Sequence, residues 1–184
     1  MEKNAETNSV KRIAFIGPES TGKTTLCRQL AEHYKTVWVP EYARMFMKNI
    51  SSDYTYDDVV YCAQGQMKLE DMALKRAKQY LFCDTELLNY NVWFEDKFKK
   101  IPEWLEEEII KRKYDLYLLT APDLAWVDER VRENPERRQY FFDLYLSELE
   151  KRKFPFRIIH GKGQERFTNA VNLIDCLAQN NFTP

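Results

Sequence analysis

The segment Gly17-Pro18-Glu19-Ser20-Thr21-Gly22-Lys23-Thr24 constrains this chain more than any other part of it. It follows an apolar run, Arg12-Ile13-Ala14-Phe15-Ile16, and precedes a stretch with Leu26 and Leu30 on one helical face. The pattern reads as a strand, a glycine turn and a helix from about Lys23 to His33. Glycines let the backbone curl so that successive N–H groups converge on one anion, beside the positive end of the helix. The expected phosphate-binding residues are therefore Gly17, Glu19, Ser20, Thr21, Gly22, Lys23, Thr24 and Thr25. In such a loop the lysine reaches the β- and γ-phosphates, and the Thr24 hydroxyl takes one magnesium position. The expected ligands are ATP and Mg2+. The Asn-Lys-x-Asp sequence that accompanies guanine specificity is absent.

Beyond this loop, short β-rich runs alternate with helical patterns, which predicts stacked βα units and a parallel sheet. Further strands are expected at Thr36–Val39, Tyr80–Cys83, Leu116–Leu119 and Phe156–Ile159. Helices are expected at about Tyr56–Lys78, from Pro102 through Lys111, up to about Lys151, and over Glu165–Gln179. Thr55 and Asp58 have the spacing of a capping box. The fold class is thus α/β in three layers, a five-stranded parallel sheet flanked by helices. The whole chain, residues 1–184, reads as a single domain with a flexible N-terminus over residues 1–10.

Ligands of such sheets sit at the carboxyl ends of the strands, which selects two further groups of residues. Glu41, Tyr42 and Arg44 follow strand two. A carboxylate there suits a reaction at a hydroxyl, which must be held and must lose its proton, and Arg44 suits a substrate or phosphate. Asp84, Thr85 and Glu86 follow strand three. Asp84 is placed as a second magnesium anchor beside Thr24, and it competes with Glu41 for the role of base. Both groups also fit simple helix starts.

Taken together, these residues resemble the ribosylnicotinamide kinase domain of NadR-type proteins. The likeness is carried by the loop through Thr25 and Leu26, by Glu41-Tyr42-Ala43-Arg44, and by Asp84-Thr85-Glu86 with Trp93. It continues through Tyr114-Asp115-Leu116 and Trp126-Val127-Asp128-Glu129-Arg130-Val131-Arg132, and covers about Arg12 to Leu177. The resemblance implies a P-loop kinase fold with a helical lid at residues 122–138. It also implies transfer of phosphate from ATP to the 5′-hydroxyl of nicotinamide riboside, which makes nicotinamide mononucleotide for NAD synthesis. Lys23, Glu41, Asp84 and Arg132 become the implied catalytic residues, with Arg132 supplied by the lid. The nicotinamide ring is cationic, so aromatic faces and carboxylates should recognise it. Glu41, Tyr42, Arg44, Glu86 and Trp93 are the implied substrate contacts, with Tyr90 a further candidate. The chain departs from the family pattern at Glu86, often Asp, and at Arg130, where a small residue is common. About ten residues precede the first strand, so the DNA-binding and adenylyltransferase parts of full-length NadR are expected to be absent. Gly161-Lys162-Gly163 lies where this fold usually receives adenine.

The remaining composition points to a small-molecule partner. The 28 basic and 29 acidic residues give a net charge of -1, no global reason to bind nucleic acid or an anionic membrane. No apolar run approaches a membrane span, and the N-terminus lacks a signal peptide's apolar core, so a cytoplasmic location is expected. Cys27, Cys62, Cys83 and Cys176 are scattered without metal-ligand spacing and are expected to be reduced. His33 and His160 have no metal partners, and Lys97, Lys99 and Lys100 read as a solvated cluster. Two other functions fit the sequence: a kinase for another nucleoside or small metabolite, and a regulatory ATP-binding module. Nothing in the sequence sets an oligomeric state.

Overall fold

The computed structural model describes residues 9–50, 53–129 and 132–178. The N-terminal residues 1–8, Arg130 and Val131 of the lid region, and Gln179 of the closing helix lie outside them. Among the described residues five strands form one parallel sheet: β1 (Lys11–Ile16), β2 (Val37–Val39), β3 (Tyr80–Asp84), β4 (Leu116–Thr120) and β5 (Phe156–Ile159). Their order across the sheet is β2-β3-β1-β4-β5, so β1 lies at the centre between β3 and β4. Phe15 pairs with Asp84 and Ile16 with Leu119, and this register sets the ends of the three strands beside one another.

Successive side chains of β1 point to opposite faces and build two cores. Ile13 and Phe15 pack with Leu26, Leu30 and Ala31 of α1 (Lys23–His33) and with Ala170 and Ile174 of α7 (Gly163–Ala178). Ala14 and Ile16 pack on the other face with Phe142, Tyr145 and Leu149 of α6 (Arg138–Arg152). All these β1 side chains are fully buried. A third apolar cluster joins α2 (Tyr42–Met47), α3 (Tyr56–Leu74), α4 (Leu87–Trp93) and α5 (Glu103–Lys111).

Thr55 and Asp58 form the expected capping box, each side chain accepting the other's backbone N–H. Helix α3 ends at Leu74, short of the expected Lys78. There the chain peels away to enter the sheet, and the Lys78 N–H turns to the Thr36 hydroxyl at 3.2 Å. Helix α4 continues from Phe94 to Phe98 as a wider π-type turn, an irregularity often found beside functional sites.

The expected lid helix is the main difference. Among its described residues, 122–129 and 132–134 are irregular, and only a short 3₁₀ turn, Pro135–Arg137, leads into α6. Local side chains hold the backbone in other directions. Asp123 bonds to the Gly161 N–H, and Ser20 binds both the N–H and the C=O of Val127. Cys27, Cys62 and Cys83 are buried, Cys176 is exposed, and all four are unbridged. Among the described residues no helix is long and apolar enough to cross a membrane.

Candidate active site

The phosphate loop owes its shape to three residues with positive φ: Gly17 (136°), Ser20 (55°) and Gly22 (78°). Gly17 also runs tightly past β4. A Cβ there would lie 2.6 Å from Thr120 Oγ1 and 2.9 Å from Thr120 O. Gly17→Ala is therefore expected to cost about 2–4 kcal/mol from strain and overlap, read as a lower urea midpoint at unchanged slope. The loop is tied to β4 by Thr21, whose hydroxyl lies 2.6 Å from that of Thr120 and donates to Pro18 O. Lys23 Nζ donates to Gly17 O at 2.8 Å and Pro18 O at 2.7 Å. Burial lowers its ammonium below the usual lysine value, and Glu41 and Asp84 work against that fall.

A second tie comes from Arg166 of α7, which is almost fully buried. Its guanidinium donates to Thr21 O, Ala121 O, Gly161 O and Asp123 Oδ1, at 2.7 to 3.1 Å. One side chain thus joins the phosphate loop, the end of β4 and the glycine loop after β5. No sequence signal marks it, since an arginine one turn into a helix reads as a surface residue. Arg166→Ala would strand two buried carbonyls, Thr21 O and Ala121 O, and leave Asp123 without its ion-pair partner, and is expected to cost about 3 kcal/mol or more in urea unfolding.

Magnesium's proposed ligands meet as the sequence suggests. Thr24 Oγ1 lies 2.5 Å from Asp84 Oδ2. Asp84 ends β3 fully buried, and its Oδ1 has no protein hydrogen-bond partner. Burial, with Glu41 adding to it, pushes the Asp84 carboxyl up to about 6, while Thr24 and Lys23 pull the other way. A buried carboxylate with a free oxygen beside a hydroxyl is a hard-oxygen pair suited to magnesium, which commonly takes few protein ligands beside phosphates and water. Among the described residues no group of three or more His, Cys, Asp or Glu side chains gathers as a metal cage.

These elements open on a cleft of about 900 Å³. Its lining brings together Gly17, Glu19 and Lys23 from the loop, Glu41 and Arg44 from the end of β2, Thr85, Tyr90 and Trp93 from β3 and α4, and Arg132 from the lid region. Thr85 adopts φ 76°, an uncommon conformation for a β-branched residue, of the sort that gathers at functional sites. The Thr85 N–H and C=O hold it in place, bonded to Phe15 O and to the fully buried Gln66 side chain.

The lid region is docked on the loop through charges. Arg132 donates to Ser20 Oγ at 2.9 Å and Val127 O at 2.7 Å, and pairs with Glu129 at 2.8 Å. Glu129 also faces Arg44 at 3.7 Å, and Arg44 pairs with Glu41 at 3.2 Å. The backbone N–H groups of Glu133 and Asn134 donate to the Glu19 carboxylate. Burial raises the Glu19 pKa, and these N–H groups oppose the rise.

Two expected substrate contacts stand elsewhere. Glu86 is buried outside the cleft lining, where its carboxylate caps α4 by accepting the Leu88 N–H at 2.8 Å. Burial pushes its pKa up to about 8, opposed by the Leu88 N–H. Tyr42 also lies off the lining. Its ring packs over Gly65, where an added Cβ would come within 2.5 Å of it, and its N–H donates to Gln66. Thr25 is exposed on α1. Lys97 is exposed, as the sequence suggests, and also lines the cleft, with its ammonium 3.6 Å above the Tyr54 ring and 3.4 Å from Glu133. Tyr54, Asn89, Asp96, Arg137 and Tyr145, which no sequence motif marks, also line the cleft. They come from three separate segments that only the folded chain brings together.

A strand–loop–helix phosphate cradle at the centre of a five-stranded parallel sheet defines the class of P-loop nucleotide-binding domains. Within it, the chain belongs to the AAA domain family, whose model matches residues 12–166. It is similar to the trifunctional NAD biosynthesis/regulator protein NadR of Escherichia coli strain K12, with 26% identity over 172 residues, 90% of this chain and 42% of that protein. NadR of Salmonella typhimurium strain LT2 matches at 26% over 174 residues, with the same coverage. The chain therefore spans about two-fifths of the length of the curated relatives it matches. A crystal structure of NadR in complex with NR superposes with a TM-score of 0.80 at 23% identity, over 90% of this chain and 51% of that one. The fold is that of the P-loop kinases.

Proposed function

We propose that this chain transfers the γ-phosphoryl group of ATP, with magnesium, to the 5′-hydroxyl of nicotinamide riboside. The observation that carries the proposal is one cleft whose lining joins Gly17, Glu19 and Lys23 of the loop to Glu41, Arg44, Tyr54 and Trp93, which supports a phosphate side and an acceptor side on one surface. A module that only senses ATP has no need of the second wall. The similarity to NadR over 90% of the chain supports the choice of acceptor.

In this reading the loop N–H groups and Lys23 hold the β- and γ-phosphates, and Arg132 meets the charge that spreads over the transferring group. Thr24 and Asp84 would hold magnesium, which neutralises phosphate charge. Glu41 lines the cleft, whereas Asp84 is buried against Thr24, so Glu41 takes the role of base. The acceptor oxygen bonds to γ-phosphorus, the bond from γ-phosphorus to the bridging oxygen breaks, ADP leaves, and the hydroxyl proton passes to Glu41. Arg44, paired with Glu41 at 3.2 Å, aims that carboxylate. Trp93, backed by the buried Tyr90, and Tyr54 offer ring faces to the base of the nucleoside. Rate enhancement comes from positioning and charge, without a covalent intermediate.

The test is ADP release measured against a nucleoside panel under Mg-ATP. Release that depends on nicotinamide riboside supports the proposal. Dependence on a different nucleoside would replace the acceptor and keep the chemistry, and tight ATP binding without dependence on any nucleoside would point to a regulatory module.

A further inference from the structure

Lys97 has no part in the proposed transfer, yet its ammonium sits inside the cleft on partners of a particular kind. Lys97 Nζ lies 3.6 Å from the centroid of the Tyr54 ring and 3.4 Å from Glu133 Oε2. The same Glu133 oxygen accepts from the Tyr54 hydroxyl at 3.1 Å, and that hydroxyl accepts from Trp93 Nε1 at 3.1 Å. Trp93 meets Tyr54 edge-on at 5.1 Å and stacks on Tyr90 at 6.0 Å. An electron-rich ring face with a carboxylate at its rim is what an organic cation seeks, because ring quadrupole and formal charge attract it together. Tyr54, Trp93, Tyr90, Glu133 and Lys97 all line the one cleft.

We propose that Lys97 is a tethered occupant of an organic-cation site, and that it sets how strongly the cleft favours cationic over neutral acceptors. The proposal rests on the acceptor cleft assigned above and adds a determinant of its specificity. The ammonium and a cationic ring compete for the Tyr54 face and for Glu133, and they repel one another when both are near. A neutral ring competes only for the Tyr54 face, with no claim on Glu133 and no charge to be repelled, so the lysine weakens its binding far less. The lysine side chain is 37% exposed on a flexible stem, so it can swing into solvent when displaced.

The test compares the full chain, K97M and K97R by calorimetric titration with two matched pairs. One pair is the N-methylnicotinamide cation and neutral nicotinamide. The other is nicotinamide riboside and benzamide riboside, its uncharged counterpart. K97M is expected to bind both cations about tenfold more tightly while the neutral partners change by less than about twofold. K97R, which keeps the charge, is expected to follow the wild type. Equal changes for cationic and neutral ligands, or no gain for the small cation in K97M, would overturn the role of Lys97. If nicotinamide riboside binds none of the three proteins while the small cation still gains in K97M, the acceptor assignment falls and the role of Lys97 stands.

Discussion

Lys23→Ala is expected to lower nucleoside-dependent ADP release by about 10³-fold or more, the scale seen when a preorganised charge facing a transferring group is removed. Lys23 is the loop's own cation, set at the start of α1 with its ammonium drawn below the usual lysine value by burial and held up by Glu41 and Asp84. A buried ammonium is stabilised again once phosphate oxygens surround it, so its attraction to the transition state is large. Its bonds to Gly17 O and Pro18 O also shape the loop, and the variant is expected to lose some ATP affinity as well as kcat. The comparison is single-turnover kinetics at saturating ATP, with circular dichroism to show the fold intact. A folded, fully active Lys23→Ala would refute the mechanism.

Asp84→Asn is expected to have the next largest effect, about 10²–10³-fold in kcat/KM, with the magnesium needed for half-maximal activity rising in parallel. Asparagine keeps the size of the side chain and can still accept from Thr24, so the change is mainly one of charge. Asp84 is a buried carboxyl whose pKa is raised by burial, and an uncharged replacement relieves that penalty. The variant is therefore expected to be at least as stable as the wild type while nearly inactive. A magnesium titration and a thermal melt on the same preparation separate the two effects. Unchanged magnesium dependence would remove Asp84 from the metal site.

Much of the fold was legible because local chemistry repeated the same message. The Thr55–Asp58 box begins a helix, Pro40 closes β2, and β1 reads as a buried apolar run on both faces. The phosphate loop was legible because its glycines, lysine and threonine must be adjacent in sequence to act. The rest of the cleft lining was harder, since its residues are far apart in the sequence. Tyr54, Asn89 with Asp96, and Tyr145 belong to three separate segments, and only packing reveals that they share a surface. Glu86 shows the opposite failure. Its place after β3 suggested a ligand contact, but the first turn of α4 needed an acceptor for Leu88 N–H, and the side chain turned inward to supply it. Arg166 was invisible for a third reason: three of its four partners are backbone carbonyls, which no sequence pattern records.

The central claim is that loop, lid and acceptor wall act together on one phosphoryl group. It is tested most directly by incubating the purified chain with Mg-ATP and nicotinamide riboside, then analysing the nucleoside by mass spectrometry and phosphorus NMR. The account predicts nicotinamide mononucleotide, with one phosphoryl group on the 5′-oxygen and ADP formed in equal amount. Unchanged nicotinamide riboside, from a protein that binds ATP under the same conditions, would contradict it.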